Sequence, residues 1–316
     1  MPSMIKMNGE LADYHYKRLS SLQLQTAMRV HTHVRRFMGS FLFDEGFSEI
    51  PPVILSPLTD PLNHPTLDPV LSCYGYKYQL TKSMIFHKQL AVMAQEKIFC
   101  FSPNLRFEPE DKCESGRHLF EFTQLDLEMA KATRDDAMEL MERMYVALME
   151  YCEKELSSEL NSIGRTLTVP SAPFRRITFN DALERYGEDF EAILSAESKE
   201  PVWIIDIPLL DREFYDLEDP TQKGILLDMD LIYPEGFGEA SSGGEREYKY
   251  ERIVERIHKK DQDEKDYALL LQMASKGLLP SAGFGIGIER IVRFICGFEH
   301  IEDAALFPKI PGKYCI

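Results

Sequence analysis

Charged side chains of the kinds that bind phosphate groups and metal ions occur in several separated stretches of the chain. Arg106, Arg117 and Arg290 are the arginines of these stretches. Arginine suits phosphate binding because its planar guanidinium group can donate to two oxygens at once. Asp230 and Glu239 supply hard carboxylate oxygens, which Mg²⁺ accepts alongside phosphate oxygens and water. These residue types are the ones that a site for a magnesium-bound polyphosphate would need.

The elements that must position these side chains can be predicted from hydrophobic periodicity. Apolar residues recur at steps of three and four over residues 20–43, which predicts a long helix. Thr133, with Asp136 three residues later, predicts the capped start of another helix. Further helices are predicted at 83–94, 247–258 and 289–298. Strands are predicted at 47–50, 74–80, 99–107, 118–129, 202–207, 226–233 and 283–287.

This arrangement of elements predicts the fold class. Runs of strands beside clustered helices indicate an α+β fold, with an antiparallel β-sheet flanked by helices. A chain of 316 residues is long enough for one large domain, and we expect a single domain over residues 1–316. Residues 155–200 are polar and mixed, and they are predicted to form a small helical insertion.

Composition limits the possible partners and the compartment. The net charge is −16, whereas a protein whose main task is holding a phosphate backbone is usually basic. This counts against nucleic acid as the main partner, although a local basic patch can lie on an acidic protein. The six cysteines form no C-x-x-C pair and no zinc-ligand spacing. No signal segment or membrane span is visible, so we expect a cytoplasmic protein with no membrane partner.

Three stretches in order carry a family resemblance. The long helix is followed by GFSEIPP (46–52), then come NLRFE (104–108) and RHLFEFTQLD (117–126), and finally GFGIGIER (283–290). In this order they resemble motifs 1, 2 and 3 of the class II aminoacyl-tRNA synthetases. The resemblance implies that fold, and motif 1 implies a homodimer with a twofold interface.

Two further stretches narrow the resemblance. EFTQLD (121–126) and GEASSGGER (238–246) look like the aspartyl/asparaginyl subgroup. Motif 1 begins near the start of this sequence, so we expect no N-terminal OB domain for reading an anticodon. A lone catalytic core that carries LTKSMIFHKQ (80–89) is similar to the archaeal asparagine synthetases related to asparaginyl-tRNA synthetase, and the similarity covers nearly the whole chain.

The resemblance implies roles around ATP. Arg106 would bind the α-phosphate and Arg290 would lie against the adenine near the γ-phosphate, and both would be catalytic together with Glu239. Phe122 would stack on the other face of the adenine. The remaining ATP-binding residues would be Glu108 at the adenine, Arg117 and His118 at the terminal phosphates, and Ser242 beside the magnesium ligands Asp230 and Glu239.

The resemblance also implies an amino-acid pocket. Lys88 aligns with the lysine that aspartyl enzymes use for the substrate side-chain carboxylate, and Arg246 faces the same group. Asp126 would hold these two cations, and Glu121 is included as a further aspartate-binding residue. Relatives have a glutamine where this chain has Ile85, so the amino acid could bind in a different orientation.

These features lead to one main prediction and two alternatives. The main prediction is an ammonia-dependent, AMP-forming asparagine synthetase that binds aspartate, ATP and Mg²⁺, works through a β-aspartyl-adenylate and requires no tRNA. Free ammonia is the expected donor because residue 2 is Pro2 and not the cysteine of an N-terminal glutaminase. The alternatives are an aspartyl- or asparaginyl-tRNA synthetase catalytic fragment and a non-catalytic regulatory protein that binds amino acid and nucleotide.

Overall fold

The computed structural model describes residues 9–313 and residue 315, and for residues 9–11 the backbone alone. The helices in this part of the chain are α1 (Gly9–Leu19), α2 (Leu22–Asp44), α3 (Ile85–Ala91), α4 (Arg134–Glu155), α5 (Ser157–Ser162), α6 (Phe179–Tyr186), α7 (Phe190–Glu197), α8 (Tyr250–Lys259), α9 (Ala268–Ala274) and α10 (Ile288–Cys296). The strands are β1 (Ser48–Glu49), β2 (Leu55–Ser56), β3 (Val70–Cys73), β4 (Tyr76–Leu80), β5 (Lys97–Leu105), β6 (Glu121–Ala130), β7 (Arg175–Thr178), β8 (Val202–Ile205), β9 (Asp228–Tyr233), β10 (Gly238–Glu245) and β11 (Ser281–Gly287). None of these helices is both long and apolar enough to cross a membrane.

An eight-stranded sheet forms the centre of the fold. Its strand order is β1-β5-β6-β11-β10-β9-β8-β7. All pairs from β5 to β8 are antiparallel, and only the two edge pairs, β1 with β5 and β7 with β8, are parallel. The predicted α+β fold with an antiparallel sheet flanked by helices is therefore confirmed.

The main hydrophobic core lies between one face of this sheet and the helices α2, α4 and α10. Because side chains alternate along a strand, Leu125 and Leu127 of β6 and Phe284 and Ile286 of β11 all point into that core. Val30 on α2 is fully buried in the same cluster. The opposite face of the sheet is left to carry polar side chains and glycines.

The capped start of α4 forms as predicted. The Asp136 N–H donates to Thr133 Oγ1 at 3.3 Å, and Asp136 Oδ2 accepts the Thr133 N–H at 2.8 Å. This reciprocal capping box satisfies two N–H groups that would otherwise lack partners at the helix terminus.

Residues 155–200 differ from the predicted helical insertion. Besides α5, α6 and α7 they contain β7, which joins the edge of the main sheet through four residue pairs with β8. The strand is only four residues long and begins with Arg175 and Arg176, so it has no apolar alternation to reveal it. The segment is part of the central sheet.

A second, smaller hydrophobic cluster lies on the other side of the sheet. It contains Phe86 of α3, Ile253 of α8 and Leu270 of α9. Phe214 and Tyr267 pack in the same cluster, with their ring centres 4.6 Å apart in an edge-to-face contact. This cluster forms a wall beside the polar face of the sheet, and the space between them is the cleft described below.

A buried carboxylate joins β6 to α10. Both oxygens of Glu289 accept the backbone N–H of Thr123, at 3.1 and 3.0 Å, and the side chain of Thr123 also donates to them. Burial raises the pKa of Glu289 from its ordinary value of 4.5 to about 7. Protonation of this group near neutral pH is therefore linked to folding.

An exposed apolar patch lies on the small sheet with strand order β2-β4-β3. Leu55, Val70, Leu71, Tyr74 and Tyr76 are all exposed there. A patch of this kind usually marks an interaction surface. By contrast, much of the apolar stripe of α2, on which the prediction of a homodimer relied, is buried within the protomer.

Replacing Glu289 by glutamine should change the pH dependence of stability. The folded protein binds this proton more tightly than the unfolded chain, so wild-type stability should fall as pH rises from about 4.5 to about 7. Glu289→Gln removes the titration, and the variant should gain about 3 kcal/mol relative to wild type across that range. Urea unfolding at pH 4.5 and pH 8 measures the difference. The exposed Glu121→Gln is the control, and equal pH dependence of wild type and Glu289→Gln would contradict the prediction.

The homodimer that motif 1 implies stays a prediction, and we propose that the exposed apolar patch of the small sheet is part of its interface. Light scattering at micromolar concentration should give twice the mass of one chain. Val70→Glu combined with Tyr76→Lys puts charges on the patch and should yield monomers, whereas Leu269→Glu, at an exposed leucine of α9, should not. A monomeric wild-type protein would show that the patch has another use.

Candidate active site

A cleft of about 400 Å³ opens on the polar face of the central sheet. It gathers twelve side chains singled out in the sequence, from the segment before motif 2, from motifs 2 and 3, and from the segment between them. These are Lys88, Arg106, Glu108, Arg117, His118, Phe122, Asp126, Asp230, Glu239, Ser242, Arg246 and Arg290. Residues that are up to about 200 positions apart in the chain therefore share one site.

Glycines on β11 make the floor of the cleft. Gly283, Gly285 and Gly287 alternate with the core residues of the same strand, so all three face the cleft side. A Cβ at Gly283 would lie 2.2 Å from the Leu127 carbonyl oxygen, and one at Gly285 would lie 1.9 Å from Gln124 Nε2. The alternate glycines are therefore required because side chains of β6 lie across them.

Glu121 is the one predicted site residue that the structure places elsewhere. It is exposed, it precedes Phe122 at the start of β6, and it does not line the cleft. Strand alternation explains the error, because Phe122, Gln124 and Asp126 share the cleft face of β6 and the residues between them face the other way.

One end of the cleft is rich in cations. Arg106 Nε donates to the Lys82 carbonyl oxygen at 3.0 Å, and its guanidinium lies 5.3 Å from the ring centre of Phe122. Among the described residues its two terminal nitrogens have no hydrogen-bond partner, so they can receive a ligand. Arg290 pairs with Glu239 at 3.1 Å on the other side of this end.

The pKa values of two neighbouring groups, His118 and Glu108, are shifted from their ordinary values. Burial, reinforced by Arg290 and Arg117, lowers the pKa of His118 to about 4, so its ring is neutral at pH 7. Burial alone would raise the pKa of Glu108, but a hydrogen bond from His64 Nε2 at 3.0 Å and other positive neighbours lower it. Glu108 is thus an ionised acceptor.

Asp230 and Glu239 lie close enough to interact and fit a magnesium ion. Asp230 Oδ1 is buried without a hydrogen-bond partner among the described residues, while Ser242 and Arg212 contact this carboxylate. Burial raises the pKa of Asp230, whereas Arg290 and Arg212 outweigh burial and lower that of Glu239. The described part of the chain holds no cluster of three or more such ligands, so phosphate and water would complete the coordination.

The sequence analysis missed Arg212, Glu191 and Asp60, which also line the cleft. Arg212 Nε lies 3.1 Å from Asp228 Oδ2, and Arg212 also pairs with Asp230. Glu191 reaches the site from α7 within residues 155–200. No motif or spacing marks these positions, because Asp60 and Arg212 lie in connections and Glu191 lies on a short helix, and only the fold brings them to the cleft.

The other end of the cleft is a buried pocket of paired charges. Lys88 Nζ donates to Asp126 Oδ1 and to the Phe284 carbonyl oxygen, both at 3.2 Å, and lies 3.7 Å from Glu128. Arg246 contacts Glu128 at 3.1 Å and Asp216 at 3.0 Å. Both cations are therefore already engaged by carboxylates of the protein.

One acceptor in this pocket is unused. Asp126 Oδ2 is buried and has no hydrogen-bond partner within the described residues. Burial raises the pKa of Asp126 in spite of Lys88. A ligand that enters the pocket can therefore satisfy Asp126 by donating an N–H group.

Known proteins similar to this chain point to one enzyme class. The asparagine–tRNA ligase from Pyrococcus abyssi is 31% identical over 96% of this chain and 72% of that protein, and the one from Thermococcus gammatolerans is 29% identical over 96% and 73%. The crystal structure of asparaginyl-tRNA synthetase from Pyrococcus horikoshii complexed with asparaginyl-adenylate superposes with a TM-score of 0.87. It is 27% identical and is matched over 96% of this chain and 73% of that one.

These relatives overturn two predictions from the sequence. They are named for joining asparagine to tRNA, so the ammonia-dependent asparagine synthetase and the independence from tRNA are both wrong. The physical reason is that an acyl adenylate can be attacked by ammonia or by a tRNA hydroxyl. The residues that build the adenylate, from which the function was argued, are needed in either case.

The family itself is shown by the match along the chain. The family of class II tRNA synthetases (D, K and N) matches residues 8–311, which include all three motifs and every residue of the cleft. The chain therefore belongs to the class II tRNA synthetases of the D, K and N group.

Proposed function

We propose that this protein is an asparagine–tRNA ligase, which first forms asparaginyl-adenylate from asparagine and ATP and then transfers the asparaginyl group to tRNA. The observation that carries the proposal is the single cleft that joins a cation-rich end to a closed polar pocket. Its likeness to the asparaginyl-adenylate complex supports the same ligand arrangement. Release of pyrophosphate would accompany the first step and release of AMP the second.

The cation-rich end would hold ATP. The free terminal nitrogens of Arg106 would grip the α-phosphate and stabilise the charge that develops as the asparagine carboxylate attacks. Phe122 and Arg290 would enclose the adenine, and Arg117 with neutral His118 would contact the terminal phosphates. Glu108, ionised and partly buried, would accept a hydrogen bond from the base.

Asp230 and Glu239 would hold Mg²⁺, with Ser242 hydrogen-bonded to Asp230 in support. The ion would supply positive charge against the phosphate oxygens during adenylate formation. Arg212 pairs with Asp230 and Arg290 pairs with Glu239, which holds the two carboxylates in place.

Asparagine suits the closed pocket better than aspartate does. Lys88 and Arg246 already pair with Asp126, Glu128 and Asp216, so a substrate carboxylate would have to compete with carboxylates of the protein for both cations. A carboxamide instead offers N–H donors to the unused Asp126 Oδ2. Breaking the protein's own buried pairs to bind a carboxylate would cost several kcal/mol, on the order of the cost of removing one partner of a buried ion pair.

The α-ammonium group of asparagine would face Asp60. Ile85 provides no acceptor, but Asp60 lines the same cleft and accepts hydrogen bonds from Ser83 at 2.7 Å and Tyr215 at 3.1 Å. The two carboxylate oxygens of an aspartate have capacity for further donors beyond these.

Exchange of labelled pyrophosphate into ATP tests the first step. Exchange should depend on asparagine, with aspartate a much weaker substrate, and labelled asparagine should then become esterified to tRNA. Aspartate-dependent exchange, or exchange without any transfer to tRNA, would refute the proposal.

Arg106→Ala should nearly abolish pyrophosphate exchange while the fold survives. The loss of a preorganised donor to the developing charge costs about 10²–10³ in rate. The control is Arg29→Ala, which removes an exposed arginine of α2 whose side chain is 66% accessible. Wild-type exchange rates in Arg106→Ala would remove this residue from the site.

Lys88→Met should raise the asparagine KM and leave the ATP KM almost unchanged. Methionine keeps most of the stem but leaves Asp126 and Glu128 without a cation, which typically costs about 2–5 kcal/mol for a buried charge pair. Steady-state exchange kinetics with each substrate varied separates the two constants. Lys154→Met, with a side chain 82% exposed on α4, is the control. An unaltered asparagine dependence would show that the amino acid binds elsewhere.

A further inference from the structure

Gln124 lies between the two ends of the cleft. Its neighbours on the same face of β6 are Phe122 towards the nucleotide end and Asp126 towards the amino-acid pocket. With about 3.4 Å of rise per residue in an antiparallel strand, each neighbour is about 7 Å away. The side chain of Gln124 is therefore at the place where the nucleotide and the amino acid must meet.

A short chain of buried hydrogen bonds ends at Gln124. Ser102 Oγ donates to Asn104 Oδ1 at 2.9 Å, and Asn104 Nδ2 donates to Gln124 Oε1 at 2.5 Å. Ser102 and Asn104 belong to β5 and have no exposed surface. The serine and asparagine thus form a polar support beneath the floor of the cleft.

The direction of these hydrogen bonds decides what Gln124 presents to a ligand. Because the Asn104 oxygen accepts from Ser102, the Asn104 amide nitrogen is left to donate to the Gln124 oxygen. The Gln124 nitrogen then lies against β11, 1.9 Å from where a Cβ of Gly285 would be. No acceptor among the described residues takes its two N–H groups.

We propose that Ser102 and Asn104 are positioning residues that hold the Gln124 amide with its N–H groups towards the cleft, where they donate to the reacting carboxyl group of the amino acid. The oxygen that receives this hydrogen bond is the one that does not attack phosphorus and becomes the carbonyl oxygen of the adenylate. The inference rests on the proposed function for the identity of that acceptor, while the orientation of the amide follows from the hydrogen bonds alone.

The position of the Gln124 amide also explains why residue 285 is a glycine. Gly285 has no side chain, so the Gln124 amide can lie across β11 and reach the centre of the cleft. A preorganised donor at this position needs no rearrangement when charge develops on the oxygen, which is the condition under which such donors lower a barrier most.

Asn104→Asp reverses the direction of the hydrogen bond between residue 104 and Gln124, with almost no change in the shape of the side chain. A carboxylate can only accept, so Gln124 must turn its nitrogen towards residue 104 and its oxygen towards the cleft. The reacting carboxyl group then meets an acceptor in place of a donor. Asn104→Leu removes the support without adding charge and leaves the Gln124 amide free to rotate.

Two measurements on the full-length protein test the proposal. The first is NMR of protein that is deuterated except at glycine, with labelled glutamine side-chain amides. Wild type should show nuclear Overhauser contacts from the Gln124 amide protons to the Gly285 α-protons, and Asn104→Asp should lose them. The second is pyrophosphate exchange, where Asn104→Asp should lower kcat about 10²-fold and Asn104→Leu by less, with the ATP KM changed by no more than a factor of about two. Asn161→Asp, at an exposed asparagine of α5, should match wild type.

Each outcome has a distinct meaning. Absence of the Gly285 contacts in wild type, or equal kcat in wild type and both Asn104 variants, would overturn the proposal. If the buried aspartate prevents folding, the kcat of Asn104→Leu and the NMR contacts in wild type still test the proposal. If wild type activates neither asparagine nor aspartate, the proposed function fails, and the NMR contacts still decide whether Ser102 and Asn104 set the orientation of the amide.

Discussion

The pairing of β6 with the glycine face of β11 is the constraint on which the cleft depends. Seven consecutive residue pairs join the two strands, from Ser281 with Ala130 to Gly287 with Gln124. On one face this pairing buries apolar side chains against α2, α4 and α10, and on the other it leaves room for the polar side chains of β6. A side chain at Gly283 or Gly285 would separate the strands or displace the residues that lie over them. Folding and ligand binding therefore place opposite demands on alternate residues of the same strand.

Much of this architecture could be predicted from the sequence, because its strongest signals are local. The periodicity of α2, the capping box at Thr133 and the order of the three motifs were sufficient for the fold class. The motifs together with the narrower subgroup resemblance were sufficient for twelve residues that line the cleft. β10 was missed because Gly238, Gly243 and Gly244 interrupt it, and glycine weakens every propensity signal for a strand. β7 was missed because four residues carry too little periodicity.

The function could not be predicted as well as the fold, for a physical reason. Lys88 and Arg246 indicated a pocket for an acidic substrate because each is a cation at a matching position. Their partners Glu128 and Asp216 are distant in sequence from Arg246, by 118 and 30 positions, and no pattern links them to it. Only the folded sheet shows that these cations are already paired with carboxylates of the protein.

The complete burial of Glu128 has a consequence for how such pockets change over evolutionary time. Glu128 accepts hydrogen bonds from Arg246 and Ser281 and lies 3.7 Å from Lys88, so one carboxylate interacts with both cations. If the pocket binds an amide, as proposed, loss of that carboxylate would release N–H groups of both cations and favour an acid while every residue at the ligand surface stayed the same. Substrate preference in this architecture can therefore drift through a residue that never touches the substrate, and a cation shared between two relatives does not establish that they share a substrate.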